Sequence, residues 1–177
     1  GTILVIEPRM KALQKRKDFE QLDVIVKAEE GLDKALRLID DAAREGRPLS
    51  VGFEGNAGTV YPELLRKGWI PDIVTEQTPA HDRLKVLPDS MTVEEADALS
   101  RRAMEDRDAY TEYTQRSGET LARYTGAMIE FKARGAYVVD YGTGARRWAG
   151  ELGVPIRNAD GSYVYPGFVE DLIRNGY

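Results

Sequence analysis

The chain has 177 residues, 42% of them apolar, 31% charged and none cysteine, with a formal net charge of −5 and one histidine. That length suits one domain with a sizeable core, over residues 1–177. No apolar run exceeds four residues, so no segment is expected to span a bilayer. No charged segment followed by a long apolar run opens the sequence, so no signal peptide is expected. The absence of cysteine excludes disulfides, thiolate zinc sites and a cysteine nucleophile within these residues. One histidine excludes a multi-histidine metal site, and the mild acidity argues against a general nucleic-acid binder. A soluble intracellular globular domain is the expectation.

In chain order, Thr2 to Ile6 reads as a strand ending at Glu7. A helix through about Phe19 follows, with Met10, Leu13 and Phe19 inward. Val24-Ile25-Val26 reads as a second strand. From Gly31 to Glu45, Leu32, Ala35, Leu36, Ile39 and Ala43 recur at helical spacing, and Gly46 ends the helix. Residues 48–53 read as a third strand. Gly55-Asn56-Ala57-Gly58 turns into a helix from Thr59 to Lys67. Asp72 to Thr75 is the next strand, followed by a polar loop from Glu76 to Ser90. Thr92-x-x-Glu95 has the form of a capping box and starts an alanine-rich helix. A longer helix from Asp108 to Arg134 carries a Leu121, Tyr124, Met128, Phe131 stripe that reads as core, although Gly118 and Gly126 weaken its centre. Ala136 to Asp140 is a strand. Tyr141-Gly142-Thr143-Gly144 turns into a short helix to Leu152, and a last helix runs from Gly167 to Arg174.

Strands alternating with helices predict an α/β fold, a doubly wound, mostly parallel sheet with helices on both faces. In such sheets ligands bind beyond the strands' carboxyl ends, which directs attention to the post-strand segments. Glu7 is placed to accept hydrogen bonds from ribose hydroxyls, or is a solvated strand end. Gly55 to Gly58 suits an anion or carboxamide at a helix N-terminus, or is a plain turn. His81, in Thr75-Glu76-Gln77-Thr78-Pro79-Ala80-His81-Asp82, is a general acid/base or a donor to ligand, with Asp82 able to orient it, or is simply solvated. Tyr141 offers a ring and a hydroxyl between a strand end and two glycines, or anchors a turn. Lys11, Lys15, Arg16 and Lys17 read as a solvated helix face.

Taken in order, these motifs resemble the central NAD-binding, Rossmann-like domain of urocanase (urocanate hydratase). The resemblance rests on Glu7, then Asp33-Lys34-Ala35-Leu36, then Ser50-Val51-Gly52-Phe53-Glu54-Gly55-Asn56-Ala57. It continues through Pro62-Glu63-Leu64-Leu65-Arg66-Lys67-Gly68 and Pro71 to Asp82. Asp140-Tyr141-Gly142 and Tyr165-Pro166-Gly167-Phe168-Val169 close the series. It implies a cytoplasmic hydro-lyase of histidine metabolism that adds water to urocanate, with NAD+ as the electrophile that forms a transient adduct with the imidazole ring. It implies cofactor contacts from Glu7 to a ribose, from Asn56 and Ala57, from Gln77, Thr78, Pro79, Ala80 and His81, and from Leu87 and Tyr141. It implies flanking domains as partners and room for a homodimer, while the composition leaves no metal, nucleic acid or membrane expected.

The family's first βα unit with its glycine-rich loop, and its catalytic cysteine, have no counterpart in these residues. No catalytic residue is therefore assigned within them, and the chain alone is expected to be inactive. The family's arginine after the first strand aligns with Ala12. The loop after His81 is one residue shorter than the family's and lacks its tyrosine. Thr143-Gly144 replaces an asparagine pair. These departures leave two alternatives: a diverged non-catalytic NAD-binding or assembly domain, or a hydratase of a modified imidazole acrylate.

Overall fold

A computed structural model describes residues 1–141 and 144–176. Gly142 and Thr143, part of the expected turn after Tyr141, lie outside the described residues. The chain divides into two compact units, Gly1–Val60 and Tyr61–Tyr177.

The first unit contains β1 (Thr2–Glu7), α1 (Met10–Asp18), β2 (Val24–Val26), α2 (Leu32–Arg44) and β3 (Leu49–Glu54). Its sheet has the order β1-β3-β2, with both pairings parallel. A parallel sheet needs apolar cover, and α1 and α2 supply it. Gly52 at the centre of β3 admits α1 closely. A Cβ there would lie 2.8 Å from Leu22 Cδ1 and 2.9 Å from Leu13 Cδ2. The buried residues of α2 are Ala35, Leu36, Ile39 and Ala42. The inward stripe thus ends on Ala42, three residues after Ile39, and Ala43 faces solvent. Phe19 is also outward, 64% exposed, with the Lys15 ammonium 5.9 Å from its ring centre. It follows the last turn of α1, where the helical repeat no longer aims it at the sheet.

The second unit holds β4 (Ile73–Glu76), α4 (Val93–Arg102), α5 (Arg107–Ala133), β5 (Tyr137–Asp140), α6 (Gly144–Glu151) and α7 (Phe168–Arg174). The helix α3 (Ala57–Arg66) carries the chain from the first unit into it. β4 and β5 pair in parallel, Ile73 opposite Tyr137 through Glu76 opposite Asp140. The expected parallel α/β, Rossmann-like architecture is found, with its strands in two small sheets.

α5 is continuous over 27 residues despite its glycines. Gly118 and Gly126 cost it about 1 kcal/mol each in helix propensity. Complete burial of Leu121, Met128 and Phe131 contributes about 1.5–3 kcal/mol each, so packing wins. Gly118 also lets α6 approach, since a Cβ there would lie 3.1 Å from Leu152 Cδ1. Phe131 meets the Tyr61 ring edge-on at 5.7 Å.

The capping box forms as the sequence predicts. The Thr92 hydroxyl accepts from the Glu95 N–H at 3.2 Å, and the Glu95 carboxylate accepts from the Thr92 N–H at 2.8 Å. Replacing Thr92→Ala leaves the Glu95 N–H without its acceptor and is expected to cost about 1 kcal/mol in urea unfolding. Thr92→Ser should restore most of that, and an unchanged midpoint for Thr92→Ala would contradict the role of the cap.

Candidate functional site

In the first unit, residues from three segments meet at the carboxyl ends of β1 and β3. The Gly55 N–H donates to the Glu7 carbonyl at 3.2 Å, extending the ladder one step past the strands. Glu7 is half-buried, and its Oε1 accepts from the Arg9 N–H at 2.9 Å. Glu54 stands opposite it in register and accepts from the Ala28 N–H at 3.2 Å. Asn56 caps α3: its Oδ1 accepts from the Gly58 N–H at 2.9 Å, and its carbonyl accepts from the Val60 N–H. This cap starts the helix at Ala57, two residues earlier than the sequence pattern suggested. Gly55 is required sterically, because a Cβ would lie 2.8 Å from Val60 Cγ2 and 2.9 Å from Phe53 Cε1. Glu7, Asn56 and Ala57 are thus neighbours, offering a carboxylate acceptor beside a helix start.

In the second unit, the loops after β4 and β5 meet in the same way. The Thr78 N–H donates to Glu76 Oε1 at 2.5 Å, and the Tyr141 N–H donates to the Glu76 carbonyl at 2.9 Å. Gly144 packs on the other loop, where a Cβ would lie 3.0 Å from the His81 nitrogen and 3.1 Å from the Ala80 carbonyl carbon. Gln77, Pro79 and His81 are exposed, Thr78 is half-buried and Ala80 is buried. Tyr141 is 70% exposed, its ring 6.3 Å from that of Phe168. Asp82 Oδ1 accepts from the Leu84 N–H at 3.0 Å and so caps the turn at Arg83–Lys85. Leu87 packs on the apolar cluster of α4 and α5 around Leu99 and Tyr113. The structure therefore gathers residues 77–81 with Tyr141 at the strand ends and seats Leu87 against those helices.

Behind these loops lies a buried ionic cluster that the sequence reading passed over. Arg146, on α6, is fully buried. Its Nε donates to Asp140 Oδ2 at 2.9 Å, and its Nη1 donates to the Tyr165 carbonyl at 3.0 Å and to Glu170 Oε2 at 3.3 Å. Its guanidinium lies over Tyr163, 4.1 Å from the ring centre. Asp140 is 1% exposed, and its Oδ1 is buried with no hydrogen-bond partner among the described residues. Burial raises the Asp140 carboxyl to about 7, and the Glu76 and Glu170 charges add to the rise against the opposing Arg146. Burial likewise raises Glu76, partly offset by the hydrogen bond from Thr78. Glu170 goes the other way, lowered by the Gly167 N–H and by Arg146. Burial raises the hydroxyls of Tyr124, Tyr61 and Tyr165, which stay protonated.

One sequence signal could have revealed this cluster. Four strands end in an acid, namely Glu7, Glu54, Glu76 and Asp140. Parallel register then pairs them two by two. Among the described residues no group of three or more acidic or histidine side chains is placed to hold a metal ion. No described helix is long and apolar enough to cross a membrane.

Parallel strands ending in glycine-bearing polar loops define a Rossmann-like α/β protein, a class consistent with a nucleotide cofactor. A family model described as the Urocanase Rossmann-like domain matches residues 1–172. The chain belongs to the urocanase family.

Gly167 is where the cluster is most sensitive. A Cβ there would lie 2.6 Å from Arg146 Nη2, on a guanidinium held by Asp140, the Tyr165 carbonyl and Glu170. Gly167→Ala is expected to cost about 1–3 kcal/mol in urea unfolding. A stability equal to the parent chain's would show that Arg146 is not held as described.

Proposed function

We propose that the chain is the NAD+-binding body of a cytoplasmic urocanate hydratase-like hydro-lyase, which adds water to urocanate in histidine degradation. The match to the family's Rossmann-like domain over residues 1–172 carries this reading. The residues fit the cofactor's chemistry. A ribose presents hydroxyl donors, and Glu7 is a half-buried acceptor at a parallel strand's carboxyl end. Asn56 and Ala57 stand beside it at the start of α3, where backbone N–H groups favour anionic oxygens. Gln77, Thr78, Pro79, Ala80 and His81 would line the cofactor from the post-β4 loop, with Tyr141 from the post-β5 segment. Leu87 would act at one remove, by holding the end of that loop on α4 and α5. The chemistry supplied by bound NAD+ is electron withdrawal from the substrate's ring. This chain's residues bind and orient; the residues that complete catalysis, the family's cysteine among them, are proposed to come from flanking domains.

Two outcomes are expected. The chain alone, given NAD+ and urocanate, leaves the substrate's ultraviolet absorbance unchanged, whereas the protein with its flanking domains removes it. In calorimetry on the latter protein, Glu7→Ala weakens NAD+ binding about 10- to 100-fold, as expected for a lost hydrogen bond to a charged group. Turnover by the chain alone would contradict the division of labour. An unchanged affinity in Glu7→Ala would remove Glu7 from the cofactor site.

A further inference from the structure

The geometry points to Glu76 and Asp140 as a positioning pair that holds one proton between its two carboxyls and, by holding it, fixes Thr78 and Tyr141, the residues that follow β4 and β5. These carboxylates are register partners on adjacent parallel strands, so their side chains leave the same face of the sheet about 4.8 Å apart at the backbone. Both are at least 95% buried. The groups facing them come from every surrounding element: Arg146 from α6, Glu170 from α7, Tyr124 from α5, Tyr61 from α3, Thr78 from the loop, and Tyr165. Only one of these is a cation. Glu170 is partly exposed, so the two buried carboxylates facing the one guanidinium would leave one buried negative charge uncompensated, which burial penalises heavily. The tyrosines remain neutral and can donate but cannot neutralise.

The Asp140 Oδ1, buried with no hydrogen-bond partner among the described residues, marks where a proton resolves the imbalance. With that oxygen protonated, Arg146 still holds Oδ2, and one carboxylate fewer repels Glu76 and Glu170. The carboxyl's rise to about 7 agrees with this.

The loops hang on this pair. The Glu76 side chain holds the Thr78 N–H, its carbonyl holds the Tyr141 N–H, and Asp140 bridges to Gly167. The link to cofactor binding rests on the proposed function; the link to loop geometry does not. The sign follows from linkage. Asp140 binds its proton more tightly folded than unfolded, where it titrates near 3.8. The stability this supplies is complete below about 4 and is lost as pH rises toward about 7.

The test uses carbon-detected NMR of the side-chain carboxyls, together with amide shifts of Thr78 and Tyr141, from pH 5 to 8. Asp140 is expected to titrate near 7, with both amides moving at the same midpoint. Asp140→Asn, which mimics the protonated form, should freeze those amides at their low-pH positions. It should also flatten the fall in unfolding midpoint between pH 5 and 8. Glu76→Gln, a second variant should the first fail to fold, removes one of the charges that raise Asp140 and should move the Asp140 midpoint, and both amide transitions with it, to lower pH; an unmoved midpoint would overturn the pairing. A midpoint near 4 for Asp140 would overturn the proposal, as would amides that ignore its titration. Calorimetry with NAD+ on the protein with its flanking domains, at pH 6 and 8, separates the two readings: amides that follow the proton without any NAD+ binding uphold the pair and sink the cofactor assignment.

Discussion

The second unit depends on one buried guanidinium. Taking Arg146 out of water costs several kcal/mol, and the cost is recovered only by well-placed acceptors. Asp140, the Tyr165 carbonyl and Glu170 accept from its Nε and Nη1, while Tyr163 covers the flat face of the cation. Arginine suits this position where lysine would not. Its planar fork reaches three acceptors on separate segments and is more weakly hydrated than an ammonium. Through those acceptors it ties β5, α6, the segment around Tyr165 and α7 into one end of the sheet. Gly167 is small because Arg146 passes beside it.

The first unit solves the same problem without a buried cation. Glu7 and Glu54 are paired in register just as Glu76 and Asp140 are, yet each is only half-buried and accepts a backbone N–H. Water shares the work of separating their charges. The contrast separates two uses of an acid at a strand end. An accessible one can accept hydrogen bonds from a ligand, and an enclosed one can only organise its neighbours. On that distinction Glu7 is the acid we propose for recognition, and Asp140 the one for support.

Much of the fold is legible in the sequence because local rules decide it. Thr92 and Glu95 announce α4, and Leu121, Tyr124, Met128 and Phe131 lie on the buried face of α5. Phe19 and Ala43 misled because hydrophobicity alone does not say where a helix ends or which of two adjacent alanines is inward. The pairing of Glu76 with Asp140 was out of reach because sheet register joins residues 64 positions apart. Arg146 beside Arg147 reads as surface charge; only the rotation of α6 separates the buried one from the exposed one. The post-strand segments were recognisable as a candidate site, but the ionic cluster that shapes them was not.

Amide hydrogen exchange in an Arg146→Met variant tests most directly whether this guanidinium organises the strand ends. Protection is expected to fall at Tyr141, Asp140 and Asp171, whose amides close the bonds around the cluster, while β1 and β3 exchange as before. Undiminished protection at Tyr141, Asp140 and Asp171 would contradict it.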